Sequence, residues 1–94
     1  MLIALLDGHT ATALALIENG ANVNTTYQSG ATPLEQAVLK GHTAIAIALI
    51  QNGADVNAIC QNGFTPLYMA ISEGHTATSV ALIENGADVN AIHQ

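Results

Sequence analysis

The chain has 94 residues, of which half are hydrophobic and only 9% are charged. Its net charge is −6 and Lys40 is its single basic residue, so no basic patch exists to neutralise phosphates, and we expect neither nucleic acid nor an anionic membrane as a partner. Aromatic residues make up 3%, so the core must be built from Ala, Leu, Ile and Val.

A 17-residue segment occurs three times along the chain, at 8–24, 41–57 and 74–90, with a spacing of 33 residues. The first copy reads GHTATALALIENGANVN, and the third agrees with it at 14 of the 17 positions. A period of this size is typical of a stacked array, in which one unit cannot bury its apolar face alone.

The residues between the copies repeat as well. They read SGATPLEQAVLK at 29–40 and NGFTPLYMAISE at 62–73. The complete unit, G-x-T-P-L-x-x-A, then Gly-His, then an apolar run closing on N-G-A-D/N-V-N, resembles the ankyrin repeat. It departs from the family pattern where the usual His after T-P-L is replaced by Glu35 and Tyr68. The resemblance implies an all-α solenoid of stacked antiparallel helix pairs with projecting β-hairpin loops.

The repeats form a single array over 1–94. The first repeat, 1–27, lacks its T-P start, the second covers 28–60, and the third covers 61–94, where the last hairpin is begun and not finished. We therefore expect the chain to be cut from a longer array.

The predicted helices follow this order. The first, over 1–7, has no cap and should fray. Thr32 and Thr65 are expected N-caps, followed by proline at the first helical position, for inner helices from Pro33 to about Lys40 and from Pro66 to about Glu73. A glycine ends each inner helix. The outer helices open at the Gly-His pairs and run to the asparagines that precede the next glycine, namely Asn19, Asn52 and Asn85.

The outer helices carry two sets of aliphatic residues. We predict that the buried side is marked by Leu16, Leu49 and Leu82 with Ile17, Ile50 and Ile83. An apolar outer column should point away from the core about 200° around the helix, and it consists of Leu14, Ile47 and Val80. Rotation of the helices could instead bury this column.

The cellular location is indicated by three features. No apolar run approaches the ~20 residues of a membrane-spanning helix. The N-terminus has no basic region or cleavage site of a signal peptide. Cys60 is the only cysteine, which fits a reducing compartment. We predict an intracellular, cytoplasmic protein.

The repeat pattern does not bring together the residues that could bind a metal or support catalysis. Matched His9, His42 and His75 would lie roughly 8–10 Å apart in stacked helices, too far to share a metal. In ankyrin repeats this imidazole usually ties neighbouring loops together. Cys60 is interpreted as an inert thiol, and the acidic residues do not pair as general acid–base catalysis requires. We predict no enzyme activity, no cofactor and no metal.

The resemblance implies a non-catalytic module that binds a partner protein through its hairpin tips and concave inner-helix face. The residues that vary between units there are the predicted contacts: Gln28, Ser29, Ala31, Leu39, Lys40, Gln61, Asn62, Phe64, Tyr68, Ser72 and Glu73. Leu6 and Asp7 belong to the same set, with Glu35 and Met69 as neighbours. Phe64 and Tyr68 are the expected anchors, or else they pack within the array.

A second hypothesis is a structural assembly formed by self-association. Contiguous exposed apolar surface tends to mark interaction sites, and terminal repeats normally need a polar cap. Either the outer column or end-to-end contact of the first and last repeats could form such a homo-oligomer.

Overall fold

The computed structural model describes residues 9–26, 30–60 and 63–90. These residues contain five α-helices, which are α1 Thr10–Glu18, α2 Pro33–Lys40, α3 Thr43–Gln51, α4 Pro66–Ser72 and α5 Thr76–Glu84. No strand occurs in these three ranges. The predicted all-α class is confirmed, whereas the helix expected over 1–7 lies outside the described residues.

The two inner helices, α2 and α4, begin at the predicted Thr-Pro pairs. The Thr32 hydroxyl accepts a hydrogen bond from the backbone N–H of Glu35 at 3.0 Å, and the Thr65 hydroxyl accepts one from the N–H of Tyr68 at 3.1 Å. Each bond satisfies one of the unpaired donors at the helix start, and the proline that follows has no donor to leave unpaired. Helix α2 has the predicted bounds, and α4 ends one residue before the expected Glu73.

A left-handed glycine ends helix α2 and turns the chain back. Gly41 has φ +74°, and its N–H donates to the carbonyl of Val38 at 3.1 Å. The next N–H, of His42, donates to the carbonyl of Ala37 at 2.9 Å. This pair of bonds is the Schellman motif, which satisfies the last carbonyls of the helix. Helix α3 starts at Thr43 and packs against α2.

The repeated N-G-A sequence ends each outer helix in the same way. In the second repeat the Asn52 side chain donates to the carbonyl of Ala48 at 2.8 Å, and the N–H of Ala54 donates to the carbonyl of Leu49 at 2.9 Å. Gly53 lies between them with φ +110°. The loop then continues through an Asx turn, in which the Asp55 carboxylate accepts from the N–H of Asn57 at 2.9 Å.

The helices form two layers. The outer helices α1, α3 and α5 stack in that order, and the inner helices α2 and α4 stack beside them. Small residues let the layers approach closely, because Ala13, Ala37 and Ala70 are fully buried where helices meet. The core is therefore a row of contacts between neighbouring repeats, as expected of a solenoid.

The predicted buried side of the outer helices is correct only in part. Leu49, Leu82 and Ile17 are buried, but Leu16 and Ile50 are half-buried and Ile83 is exposed. The leucine is least covered in the first repeat, and the isoleucine is least covered in the third. Burial at these positions thus differs from one repeat to another, which helical periodicity within one repeat does not reveal.

Candidate functional site

The eleven predicted contact residues fall into three groups. Four lie outside the described residues, namely Gln28, Ser29, Gln61 and Asn62. The predicted contacts Leu6 and Asp7 also lie outside them. Ala31 is buried at 6% exposure and Met69 is buried too, so neither offers its side chain to a partner. The remaining six lie on or beside the inner helices, where four are exposed and Phe64 and Tyr68 are half-buried.

The four exposed residues form what we call the inner-helix row, which consists of Leu39, Lys40, Ser72 and Glu73. Leu39 and Lys40 are the last two residues of α2, and Ser72 and Glu73 occupy the matching places at the end of α4. Because α2 and α4 pack side by side, the two pairs lie on adjacent helix ends. The pair at the end of α2 is thus aliphatic and cationic, whereas the equivalent pair at the end of α4 consists of a hydroxyl and an anion.

The two aromatic residues of the predicted surface contact each other. The ring centroids of Phe64 and Tyr68 are 4.5 Å apart and the rings are tilted by 46°. Phe64 also packs against the hydrophobic core. Part of each ring therefore packs within the array, which is one of the two interpretations that the sequence allowed. The rest of each ring remains exposed beside α4.

His75 performs the structural role that the sequence suggested for the repeated Gly-His pair. Its Nε2 atom lies 3.0 Å from the carbonyl oxygen of Leu39 in the preceding repeat. The ring also covers Gly41, since an added Cβ there would lie 2.8 Å from the His75 Nδ1 atom. The imidazole thus occupies space that only a glycine leaves open, and it holds two repeats together.

Two further inter-repeat contacts were missed by sequence reasoning. The side-chain amide of Asn57 donates to the carbonyl of Gly86 at 3.3 Å, and its oxygen accepts from the N–H of Asp88 at 2.8 Å. The hydroxyls of Thr43 and Thr78 are 2.7 Å apart. The asparagine is present in all three copies of the segment, and this could have marked it as a link between loops.

Loop glycines and valines also pack between repeats. A Cβ added to Gly53 would lie 4.0 Å from a methyl of Val23, and one added to Gly86 would lie 3.8 Å from a methyl of Val56. Val23 and Val56 therefore each pack on the glycine of the following loop.

Cys60 is a buried thiol in the core. Burial, and to a lesser degree the nearby Glu35 carboxylate, raises the pKa of Cys60 from 9.0 to about 12. The thiol is therefore neutral near pH 7, which agrees with its interpretation as inert, since the thiolate is the reactive form. Its backbone supports the loop, because the Cys60 N–H donates to the carbonyl of Phe64 at 2.7 Å.

The described residues enclose no pocket, and they contain no group of three or more His, Cys, Asp or Glu side chains that could hold a metal ion. Asp55 and Asp88 each accept a backbone hydrogen bond in their own loop. Over the same ranges, the helices are too short to cross a lipid bilayer.

The predicted outer column is only partly exposed. Leu14 and Ile47 are half-buried, Leu14 packs against the core, and only Val80 is 47% exposed. The expectation that all three point away from the core is therefore wrong for Leu14. The small Ala13 beside it is fully buried, which lets this helix sit close to its neighbour.

Comparison with known proteins agrees with this architecture. The sequence model of a family described as ankyrin repeats (3 copies) matches residues 1–93. No curated protein sequence matches the chain. Ankyrin repeats are generally protein–protein interaction modules and are typically non-catalytic. The match covers nearly the whole chain, and with the Thr-Pro caps, the Schellman turns and the His75 link it shows that the chain belongs to the ankyrin repeat family.

Proposed function

We propose that the chain is a non-catalytic module that binds a partner protein through the inner-helix row and the adjoining loops. It acts inside the cell, in the cytoplasm, and its work requires no cofactor. Its three repeats, 1–27, 28–60 and 61–94, act as one binding unit.

The proposal rests on one contrast. The residues that cap helices and form turns are the same in different repeats, whereas the residues of the inner-helix row differ. The capping threonines, turn glycines and loop asparagines recur at matched positions, and Thr32, Thr65 and Asn57 are occupied in internal hydrogen bonds. At the inner-helix row the paired positions differ in chemistry while remaining exposed. Solenoids bind partners along such continuous surfaces, because each repeat adds its own side chains to a common face.

The aromatic pair supplies the apolar part of the surface. Phe64 and Tyr68 stand beside the α4 half of the row, and their half-exposed rings offer contact area with little conformational freedom to lose. Binding energy concentrates on a few such residues, with aromatic ones over-represented. We therefore place the centre of the interface at α4.

A charge-matched pair of variants tests the proposal. Partners captured with the wild-type chain are identified and purified, and direct binding is measured by calorimetry. Leu39→Arg with Ser72→Arg changes the row, whereas Ala44→Arg with Ala77→Arg adds the same charge at exposed positions of α3 and α5. The row variant should weaken binding by about tenfold or more, and the control should leave it within about twofold. Equal effects of the two variants would refute the proposed surface.

A second candidate function is self-association into a structural assembly. It is favoured by three aliphatic side chains of the third repeat, Ile71, Ile83 and Val89, which are 53%, 46% and 52% exposed. Exposed aliphatic residues gathered on one repeat are typical of a contact surface.

A further inference from the structure

We propose that the inner face holds a site for an arginine side chain of the partner protein, formed by Glu35, Phe64 and Tyr68. We call these three residues the arginine site. The inference rests on the proposed function and deepens it, because it names the chemistry by which the partner is recognised. The site adjoins the inner-helix row and shares none of its four residues.

Glu35 and Tyr68 occupy the same position of consecutive repeats, the one that follows Thr-Pro-Leu. Both differ there from the histidine that is usual in the repeat pattern. Their helices, α2 and α4, pack side by side. Because the axes of packed helices are roughly 8–10 Å apart, equivalent positions place the carboxylate and the phenol ring about one helix spacing from each other.

The exposure of this position is a property of the inner face. Glu35 belongs to the second repeat, which lies between two others, and it is still only half-buried. The accessibility of this carboxylate therefore does not come from an uncovered end of the array. Tyr68, at the same position of the third repeat, is half-buried as well.

Phe64 brings a second ring to the same place. Its ring centroid is 4.5 Å from that of Tyr68, and the two rings are tilted by 46°. The Phe64 carbonyl accepts a hydrogen bond from the Cys60 N–H at 2.7 Å. Besides burial, the Glu35 carboxylate raises the pKa of the Cys60 thiol, so these two side chains are close. Cys60 thus neighbours both the carboxylate and the aromatic pair, which places the three side chains of the arginine site together.

A guanidinium group suits this combination of a carboxylate and aromatic rings. Its planar N–H donors pair with a carboxylate, and its flat face stacks on an aromatic ring. A cation within about 6 Å of a ring centroid is attracted to the ring, and a charged donor lies about 2.8 Å from a carboxylate oxygen. One guanidinium between Glu35 and Tyr68 meets both conditions, since these residues are about one helix spacing apart. A lysine ammonium has the charge but lacks the planar contact.

The charge of the chain favours a cationic occupant. The sequence has seven acidic residues and one basic residue, and its net charge is −6. The basic residue, Lys40, is the last residue of α2, whereas Glu35 lies near the start of that helix. An imbalance of this kind attracts cationic segments to the surface and repels acidic ones. We therefore assign the site to an arginine in a basic segment of the partner.

Residue-resolved NMR of the full chain, titrated with N-acetyl-L-arginine amide, tests the site without a partner. Additions up to about 50 mM measure dissociation constants as weak as about 10 mM. The backbone amide signals of Glu35, Phe64 and Tyr68 should shift saturably, whereas those of Glu18 and Glu84 on the outer helices should not. N-acetyl-L-citrulline amide, in which a neutral urea replaces the guanidinium, should cause no saturable shift. N-acetyl-L-lysine amide should bind more weakly by about threefold or more.

Two variants and a matched control identify the groups that bind. Glu35→Gln removes the charge and leaves the Thr32 cap in place, because that cap uses the backbone N–H of residue 35. It should weaken binding of the arginine amide by about fivefold or more. Tyr68→Leu removes the ring and should weaken it by about two- to fivefold. Glu84→Gln removes the same charge from an outer helix and should leave binding within about twofold.

Three results of the titration would refute the arginine site. The first is a shift of the Glu18 and Glu84 signals as large as that of the Glu35 signal, which would indicate general attraction to an acidic protein. The second is equal binding of the citrulline or lysine amide. The third is equal weakening by Glu35→Gln and Glu84→Gln. Circular dichroism verifies that each variant is folded.

Calorimetry with the purified partner separates this inference from the proposed function. Glu35→Gln should weaken partner binding by about fivefold or more, and Glu84→Gln should leave it within about twofold. If Leu39→Arg with Ser72→Arg weakens partner binding while Glu35→Gln does not, the inner-helix row is supported and recognition through an arginine is refuted. If that double variant binds the partner as the wild type does, the proposed surface is refuted, whereas the arginine site stands or falls with the titration.

Discussion

At the scale of single residues, position 41 favours glycine for two separate reasons. Its φ of +74° favours glycine, and its missing Cβ leaves room for the His75 ring. Gly74 has nearly the same φ, +75°, and no atom of the described residues lies near its Cβ position. The two glycines form a natural pair for separating backbone strain from steric overlap.

We expect Gly74→Ala to lower the free energy of unfolding by about 1–2 kcal/mol, the cost of a left-handed conformation. Gly41→Ala should lower it by roughly 1–3 kcal/mol more, because the added methyl also displaces His75. Urea unfolding of the two variants measures the difference. Equal losses would mean that the His75 ring moves away freely and does not hold the repeats together.

The Cys60 thiol gives a pH dependence whose sign follows from its raised pKa. The unfolded thiol ionises near 9.0, while the folded thiol keeps its proton to about 12. The folded state thus holds more protons between these values, and stability falls as pH rises above about 9, by at most about 1.4 kcal/mol per pH unit. Well below pH 9 the thiol is protonated in both states and contributes no slope.

Denaturant unfolding between pH 8 and pH 11, in the wild type and in Cys60→Ala, checks this expectation, at pH steps chosen on either side of about 9. The variant should lose the part of the slope that the thiol causes, whatever its stability at pH 8. Parallel curves for the two proteins would show that the thiol ionises as easily in the folded state as in the unfolded one.

At the scale of secondary-structure elements, the helix bounds were predictable because their signals are local. Thr32 and Thr65 cap the helices that the Thr-Pro pairs indicated, and the turn glycines end them. Each signal acts within one helical turn, so it can be read without knowledge of the neighbouring repeat. The exposure of Ile83 and the burial of Ala31 depend instead on tertiary packing, which these local signals do not describe, and the sequence alone misplaced both residues.

The cap at α2 provides a prediction for one element. Thr32→Ala removes the acceptor for the Glu35 N–H and should lower the free energy of unfolding by about 1 kcal/mol. Thr32→Ser keeps the hydroxyl and should retain most of that stability. Thermal unfolding of both variants decides the matter, since a serine variant as unstable as the alanine variant would assign the loss to packing of the threonine methyl.

At the scale of the whole molecule, neighbouring repeats stabilise one another through a small number of inter-repeat hydrogen bonds. Asn57 makes two hydrogen bonds to the third repeat, and His75 makes one to the second. In a solenoid, each repeat depends on the interface with its neighbour. Weakening one interface should therefore loosen one end of the array more than the other.

We expect Asn57→Ala to raise the amide exchange rates of α5 more than those of α1, because both lost bonds hold the third-repeat loop. Asn90→Ala is the control, since the same residue type is removed while both Asn57 bonds remain. A uniform rise along the chain would indicate that the three repeats unfold as a single unit.

The sequence predicted the architecture and the family, but only part of the candidate site. Leu39, Lys40, Ser72 and Glu73 are exposed as a binding surface requires, and they were found by comparing repeats in register. The exposure of Ile83 was not predicted, because the buried Ile17 is the same residue type at the same position of the repeat.

Amide hydrogen exchange of the chain with and without its purified partner tests the central claim most directly, since it reports where the partner binds. The account predicts that added protection is concentrated in α2, α4 and the segment from Gly63 to Thr65, with little change in α1, α3 and α5. Protection confined to the three outer helices, with α2 and α4 unchanged, would contradict it.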